Sequence, residues 1–389
     1  MTTSQAKLDQ LLSRRVLGMD ASGIRRAFEL GARLENPINL SIGQPNYPVP
    51  EVMKEAAITA IREDRNGYSL SGGIDALLDV IRKHLHLDLG WPADDPETSV
   101  IVTSGTSGAL LLSAMALVDP GDEIIIPDPW FVIYPQLGPL TGAKVVPCDT
   151  YPDFRMTADR IEPLITDRTK VVLLNSPGNP TGVVLDDEEV RKVAALCRER
   201  EVQLVSDEIY DEFVFPESCG PDGRCPSPGR FDPGTLVIRG FGKTYGCTGW
   251  RMGYAAGPTW LVDQMRKLQQ FTFVCAPTPL QWGVVPAFDH DNSEQIAAYA
   301  RRRDRVLEVL SPHARVATPG GAFYAFFELP AELGIDAATF VERAVERRLI
   351  LVAGGVFSAR DSHVRISYAV DEEILEEGLA AIVDLLRQR

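Results

Sequence analysis

The chain has 389 residues, 45% apolar and 24% charged, which suits a globular protein too long for one hydrophobic core and argues against disorder beyond the extreme N-terminus. Its 39 basic and 54 acidic residues leave a net charge of −15, which works against nucleic acid and anionic membrane surfaces as partners. The six cysteines lack CxxC pairing and the five histidines are dispersed, so no metal site and no disulfide framework is expected.

The first stretch, MTTSQAKLDQLLSRRV, lacks an apolar run followed by small residues, and no segment approaches the length of a membrane span. A cytoplasmic location is expected. His84 and His86 fall on what reads as a helix end and are expected to be solvated. SVIVTSG at 99–105 is a buried-strand pattern ending in a glycine turn, followed by the helical ALLLSAMALV. Ser104, Gly105, Thr106 and Ser107 therefore present N–H groups at a helix start, which favours an anion. EIIIPDP at 123–129 follows the turn Pro120-Gly121-Asp122. Phe131, just beyond it, is equally a core aromatic or a platform for a flat ring.

KVVPCD (144–149), KVVLLNSP (170–177), VQLVSDE (202–208), TLVIRGF (235–241) and GYAAG (253–257) continue the series. Continuous β-branched runs suit strands buried on both faces, and their alternation with helical patterns argues for an α/β sheet with crossover helices. The turn from Asn175 to Gly182 is fixed by its prolines and glycines and leaves the Asn179 amide free to meet a ligand. Asp207 ends one strand, where it is either a helix cap or a ligand partner, and Tyr210 can reach the same face. The Gly-, Pro- and Ser-rich stretch 217–234 reads as a loop, with Cys219 and Cys225 as free thiols.

GFGKTYGCTGWRMGY, from Gly240 to Tyr254, places a Gly-Lys-Thr triplet in a glycine-rich turn. A phosphate-cradling P-loop needs a glycine where Val237 stands, and a dinucleotide fingerprint needs one at Tyr245, so both readings fail. Lys243 is then a surface lysine or a nucleophile activated by burial and neighbouring cations. Arg251 offers a planar fork suited to phosphate. After residue 285 the pattern changes to amphipathic helices with short strands between them, AFYAFFELP and HVRISYA, which reads as a smaller α+β unit.

Ligands of open α/β sheets bind outside the carboxyl ends of the strands, where these residues recur. A pyridoxal phosphate enzyme needs a lysine for the Schiff base, an acid for the pyridine nitrogen, anion donors for the phosphate and a cation for the substrate carboxylate. The chain carries each of these in a consistent order. SIGQPNYPVP, Tyr68 with Gly73, TSGTSGAL, DPWFVIYP, NSPGNPTG, SDEIYDEF, KTYGCTGWRMGY, PGGAFYAFFEL and HVRISYA together resemble the class I and II aminotransferases of fold type I, over nearly the whole length.

That resemblance implies an α/β fold, with a large domain at 48–285 built on a mostly parallel seven-stranded sheet flanked by helices. Residues 1–47, as an N-terminal arm, and 286–389 would form a smaller α+β domain. It makes Lys243 the Schiff-base lysine and acid/base, places Asp207 on the pyridine nitrogen, and puts Tyr210 and Asn179 on the ring oxygen. Phe131 becomes the stacking aromatic, and Arg251 with Ser104, Gly105 and Thr106 the phosphate cradle. Arg365, helped by Asn179 and the backbone of Gly43, becomes the binder of the substrate α-carboxylate. It also implies a homodimer with shared sites, Tyr68 reaching the phosphate in the neighbouring subunit.

Two positions depart from the pattern. Gly240 stands where many relatives have a phosphate-binding serine, and Ser107 stands where aspartate-specific relatives have a lysine that reads the distal carboxylate. Ile24, Tyr47, Ser107 and Phe131 would border the side-chain pocket and include no second cation, which points to a neutral or aromatic amino donor, with 2-oxoglutarate as acceptor. The alternatives are aspartate as donor, through an arginine from the N-terminus or the partner subunit, or a lyase on the same scaffold. Gly178 and Trp250 stand where carbon–sulfur lyases and cyclases commonly carry histidine and phenylalanine, which disfavours the lyase.

Overall fold

The computed structural model describes residues 10–19, 23 and 34–388. Seven strands form the central sheet: β2 (Thr98–Ser104), β3 (Glu123–Asp128), β4 (Lys144–Asp149), β5 (Thr169–Asn175), β6 (Gln203–Asp207), β7 (Leu236–Gly240) and β8 (Met252–Pro258). Their order is β2-β8-β7-β6-β5-β3-β4. Only β8 runs antiparallel to its neighbours β2 and β7, so the sheet is mostly parallel.

The residues explain the arrangement. Every residue of β3, β7 and β8 is buried, as expected of strands covered on both faces. The helix Gly105–Leu117 is apolar nearly all round, because Leu110 and Leu112 are both almost fully covered in the layer that also takes up Ile101, Ile124 and Ile238. The helix Asp187–Glu199 starts at a reciprocal cap: Asp186 accepts from the Glu189 N–H, and Glu189 accepts from the Asp186 N–H.

A second sheet of four antiparallel strands, in the order β12-β13-β10-β9, comprises β9 (Arg315–Val316), β10 (Tyr324–Glu328), β12 (Val352–Ala353) and β13 (His363–Ser367). The helices Ser293–Leu310, Ala337–Glu346 and Glu372–Arg387 pack on this part of the chain, burying Val306, Phe340 and Leu379. β1 (Ile38–Asn39) runs parallel to β11 (Leu349–Ile350), which ties the N-terminal part of the chain to the C-terminal part. Leu40, just beyond β1, is fully buried in the same core, a burial contributing about 1.5–3 kcal/mol. The loop after β1 is thereby held between the two sheets' residues, where it meets β13: the Ser367 N–H donates to the Leu40 carbonyl at 2.7 Å.

Candidate active site

β2, β5, β6 and β7 deliver polar residues to one edge of the central sheet, around a cavity of about 440 Å³. Gly43, Gly105, Thr106, Phe131, Asn179, Asp207, Tyr210, Lys243, Arg251 and Arg365, all singled out in the sequence, line it. Ser107 lines it as well. Ser104 caps the helix from just outside the lining, and Tyr68 stands on the surface, 88% exposed. Tyr47 also lies outside the lining, its hydroxyl donating to the Thr244 carbonyl at 2.7 Å, and Ile24 lies outside the described residues.

At the end of β2 the chain turns through Gly105, with φ +65°, into a 13-residue helix with no acidic residue in its first turn. A Cβ at Gly105 would lie 2.6 Å from Arg251 Nη2, and one at Gly253 would lie 2.8 Å from the Thr106 nitrogen. Two glycines thus let the guanidinium and the helix start converge on one spot. Arg251 is exposed to the cavity, donates to the Thr248 carbonyl at 3.1 Å, and has no carboxylate within ion-pair distance among the described residues. A free guanidinium beside open N–H groups at a helix start is an anion cradle.

Gly240 is crowded in the same way. A Cβ there would lie 2.8 Å from Ile209 Cδ1 and 3.1 Å from Thr106 Cγ2, so a serine would need the end of the Ile209 side chain to shift.

Asp207, at the end of β6, is buried, and Tyr134 donates its hydroxyl to Oδ2 at 2.9 Å while the Ile209 N–H donates to Oδ1 at 3.3 Å. Burial pushes its pKa up to about 6, against the pull of the Tyr134 hydrogen bond. Asn175, paired with Asp207 across β5 and β6, donates to the Asp207 carbonyl at 3.0 Å and so fixes the strand end. The Tyr210 hydroxyl meets that of Tyr324 at 2.9 Å, and burial raises the Tyr210 phenol well above its usual range.

Lys243 follows β7, and its Nζ donates to the Gly43 carbonyl at 2.5 Å. Burial lowers its pKa to about 8, helped by Arg365 and Arg251 and opposed by Asp207. Arg365, from the middle of β13, is 1% exposed and sits over the rings of Tyr324 and Phe357 at 4.6 and 4.7 Å. It donates to Asn179 Oδ1 at 3.1 Å and to the Ser41 carbonyl at 2.6 Å, while its buried Nε has no partner. Burial holds its pKa below the usual guanidinium range. Such a cation, without a counter-charge among the described residues, is poised for a carboxylate.

Sequence reasoning missed Tyr134 and Tyr324, and it placed Asn175 at a strand end without foreseeing its bond to Asp207. The signal was present for the tyrosines, since a tyrosine buried where phenylalanine would fill the space must find a hydrogen-bond partner. The expectation for His84 is corrected: it is largely buried, stacked on Phe288 at 4.4 Å, because its helix packs that face inward. His86 is exposed, as its position suggested.

The cavity therefore carries three cations and one carboxylate among its described lining residues, Asp207 being the only acid. The set fits pyridoxal phosphate: an amine of lowered pKa for its aldehyde, a carboxylate for its ring nitrogen, and a cradle that Cβ atoms would fill for its phosphate.

Comparisons with known proteins agree. The family model for aminotransferase class I and II matches residues 35–382. The aspartate/prephenate aminotransferase of Thermus thermophilus is 34% identical over 96% of this chain and 98% of its own. The aromatic-amino-acid aminotransferase 2 of Thermococcus litoralis is 32% identical over 97% of this chain and 99% of its own. The structure of the Thermus thermophilus aspartate aminotransferase with maleate superimposes with a TM-score of 0.87 at 33% identity, covering 96% of this chain and 99% of that one.

Proposed function

The chain belongs to the class I and II aminotransferases and is a pyridoxal-phosphate-dependent transaminase, and from that premise we propose that it moves the amino group of a neutral or aromatic L-amino acid to 2-oxoglutarate by a ping-pong exchange. The charge pattern of the cavity supports the donor class. Each of its three cations has a task, Lys243 at the aldehyde, Arg251 at the phosphate and Arg365 at the α-carboxylate, and no fourth cation lines it among the described residues. The remaining walls include Phe131, Val132, Ile209 and Met252, which suit an apolar side chain.

Pyridoxal phosphate supplies an aldehyde and a protonated ring that draws electrons from the substrate α-carbon. Asp207 holds the ring-nitrogen proton, with Tyr134 keeping the carboxylate ionised and oriented. Phe131 would stack on the ring, and Asn179 and Tyr210 would address its oxygen. Gly105, Thr106 and Arg251 would hold the phosphate, with Ser104 setting the turn. Lys243 Nζ takes the donor's α-proton and holds it for return, its lowered pKa leaving a useful neutral fraction. Arg365 grips the α-carboxylate bidentately, assisted by Asn179 and the Gly43 loop.

The acceptor's distal carboxylate needs a further cation, which this reading draws from the N-terminal stretch or the partner subunit. If that cation also serves the donor, aspartate competes. A homodimer is part of the same reading. Tyr68, Leu70 and Phe271 are 88%, 75% and 83% exposed, and the Gln269 side-chain amide donates to the Ser71 carbonyl, which links the two segments that carry these exposed apolar residues. Residues 1–47 and 286–389 would act as a small domain that closes on 48–285 and excludes water. Six unpaired cysteines suit the reducing cytoplasm.

The test is single-turnover conversion of the holoenzyme by L-phenylalanine, L-leucine and L-aspartate without acceptor. The expected result is a kcat/KM at least about tenfold higher for phenylalanine than for aspartate, the scale of one good pocket contact. Faster conversion by aspartate overturns the donor assignment and leaves the transaminase assignment standing.

A further inference from the structure

A second cavity, of about 300 Å³, is lined by His84, Asp88, Asp211, Glu212, Cys219 and Cys225. It has no part in the chemistry above, although Asp211 and Glu212 directly follow Tyr210 in the same turn. His84 Nε2 and one carboxylate oxygen each of Asp211 and Glu212 all lie within 4.8 Å of one another. His84 lies more than 120 residues from the adjacent pair Asp211 and Glu212, which is why their spacing gave no metal signature.

Several observations set this cluster apart from an ordinary polar surface. His84 Nε2 is buried and has no hydrogen-bond partner. The closest approach of a carboxylate to it, Glu212 Oε1 at 3.6 Å, is beyond hydrogen-bond reach. The imidazole cannot easily turn away, because it stacks on Phe288 with an interplanar angle of 24°.

Acidic groups outnumber the buried cation that serves them. Arg239, 1% exposed, meets Asp88 at 2.7 Å, Glu208 at 2.9 Å and Asp211 at 3.3 Å. Arg230 takes only Asp88, at 2.9 Å, and Asp222, at 3.2 Å. Asp211 shares Arg239 with two other carboxylates, Glu212 has no arginine or lysine within ion-pair distance among the described residues although Arg224 lines the same cavity, and both carboxylates lie near the orphan nitrogen.

We propose that His84, Asp211 and Glu212 form a zinc site, with the ion's remaining position open to the cavity that Cys219 and Cys225 line. Imidazole nitrogen with two carboxylates and nearby thiols suits zinc, whereas magnesium and calcium favour oxygen ligands alone. Ligands about 2.1 Å from a tetrahedral ion stand roughly 3.4 Å apart, so the His84–Glu212 pair is already near that spacing and the other pairs close by at most about 1.4 Å on binding. Glu212, 40% exposed, has the freedom to do so. The ion would join the helix Asp75–Leu89 to the turn that carries Asp207 and Tyr210, and so stabilise the holoenzyme.

The holoenzyme, freed of metal by a chelator, is titrated with zinc chloride by calorimetry and by competition with a chromophoric chelator. One equivalent per chain is expected, with a rise in Tm. His84→Phe retains the stacking and removes the ligand nitrogen, and Glu212→Gln changes a half-exposed side chain. Each should weaken zinc binding at least about tenfold, while Cys275→Ser, away from this cavity, leaves it unchanged. Metal-free Tm and bound-cofactor absorbance show that the variants fold, and if His84→Phe does not fold, Glu212→Gln decides alone. No uptake at micromolar free zinc, or full-affinity binding by a folded variant of either ligand, overturns the site.

Discussion

Lowering the Lys243 pKa from 10.5 to about 8 has a consequence that can be put in numbers. At pH 7 an amine of pKa 10.5 is neutral in about one molecule in 3,000, and one of pKa 8 in about one in eleven, a gain of roughly 300-fold in nucleophile or about 3.4 kcal/mol at 1.36 kcal/mol per unit. Only the neutral form attacks an aldehyde. The rate at which apoenzyme captures pyridoxal phosphate should therefore rise about tenfold per pH unit below 8 and level off above it. Beside burial, the charge of Arg365 depresses the Lys243 pKa, and Arg365 does not itself hold the cofactor, so Arg365→Met should move the midpoint upward. Arg365→Lys, which keeps the charge, should leave it near 8. Stopped-flow absorbance of apoenzyme mixed with the cofactor, from pH 6 to 10, gives each midpoint. A wild-type midpoint above about 9.5, or the same midpoint in Arg365→Met, refutes the electrostatic argument.

Tyr134→Phe removes the only side-chain donor to the Asp207 carboxylate among the described residues and keeps the ring, so Asp207 should ionise less readily and pyridoxal phosphate should dissociate about tenfold more easily by equilibrium dialysis, a loss of about 1.4 kcal/mol, near the lower end for a hydrogen bond to a charged group. Gly240→Ser should cost no more than about 1 kcal/mol in urea unfolding, because its Cβ meets only the movable end of Ile209, Cδ1, at 2.8 Å, and adding Ile209→Val should remove that loss. Ser107→Lys places a cation on the cavity wall and should raise kcat/KM for aspartate relative to phenylalanine about tenfold, measured with both donors in the same half-reaction assay.

Much of this was legible in the chain. Runs such as EIIIPD and TLVIRG identify strands because two-sided burial leaves no room for polar residues, and the chemistry-bearing residues stand where those runs stop. Lys243, Asp207, Asn179, Arg251 and Arg365 meet at one cavity because a mostly parallel sheet brings strand ends together while β13 supplies the last of them from the smaller sheet. What was hidden depends on side-chain direction. Nothing in DPWFVIYP says that Tyr134 turns its hydroxyl to Asp207, or in PGGAFY that Tyr324 meets Tyr210. Arg239 is buried in a strand that is otherwise mostly apolar, and it can be because three carboxylates from elsewhere in the chain neutralise it there. The absence of serine at Gly240 looked like a lost donor, and the structure places the end of Ile209 where a serine Cβ would go.

The central claim is that Lys243 carries the cofactor and moves the proton of a transamination. The most direct measurement is the visible absorbance of wild type and Lys243→Ala, each reconstituted with pyridoxal phosphate, before and after addition of L-amino acids one at a time. The account predicts a lysine-bound band in wild type alone, converted to the pyridoxamine form by neutral or aromatic amino acids and restored by 2-oxoglutarate. A wild-type band that persists in Lys243→Ala, or amino acids that release ammonia without pyridoxamine accumulating, would contradict it.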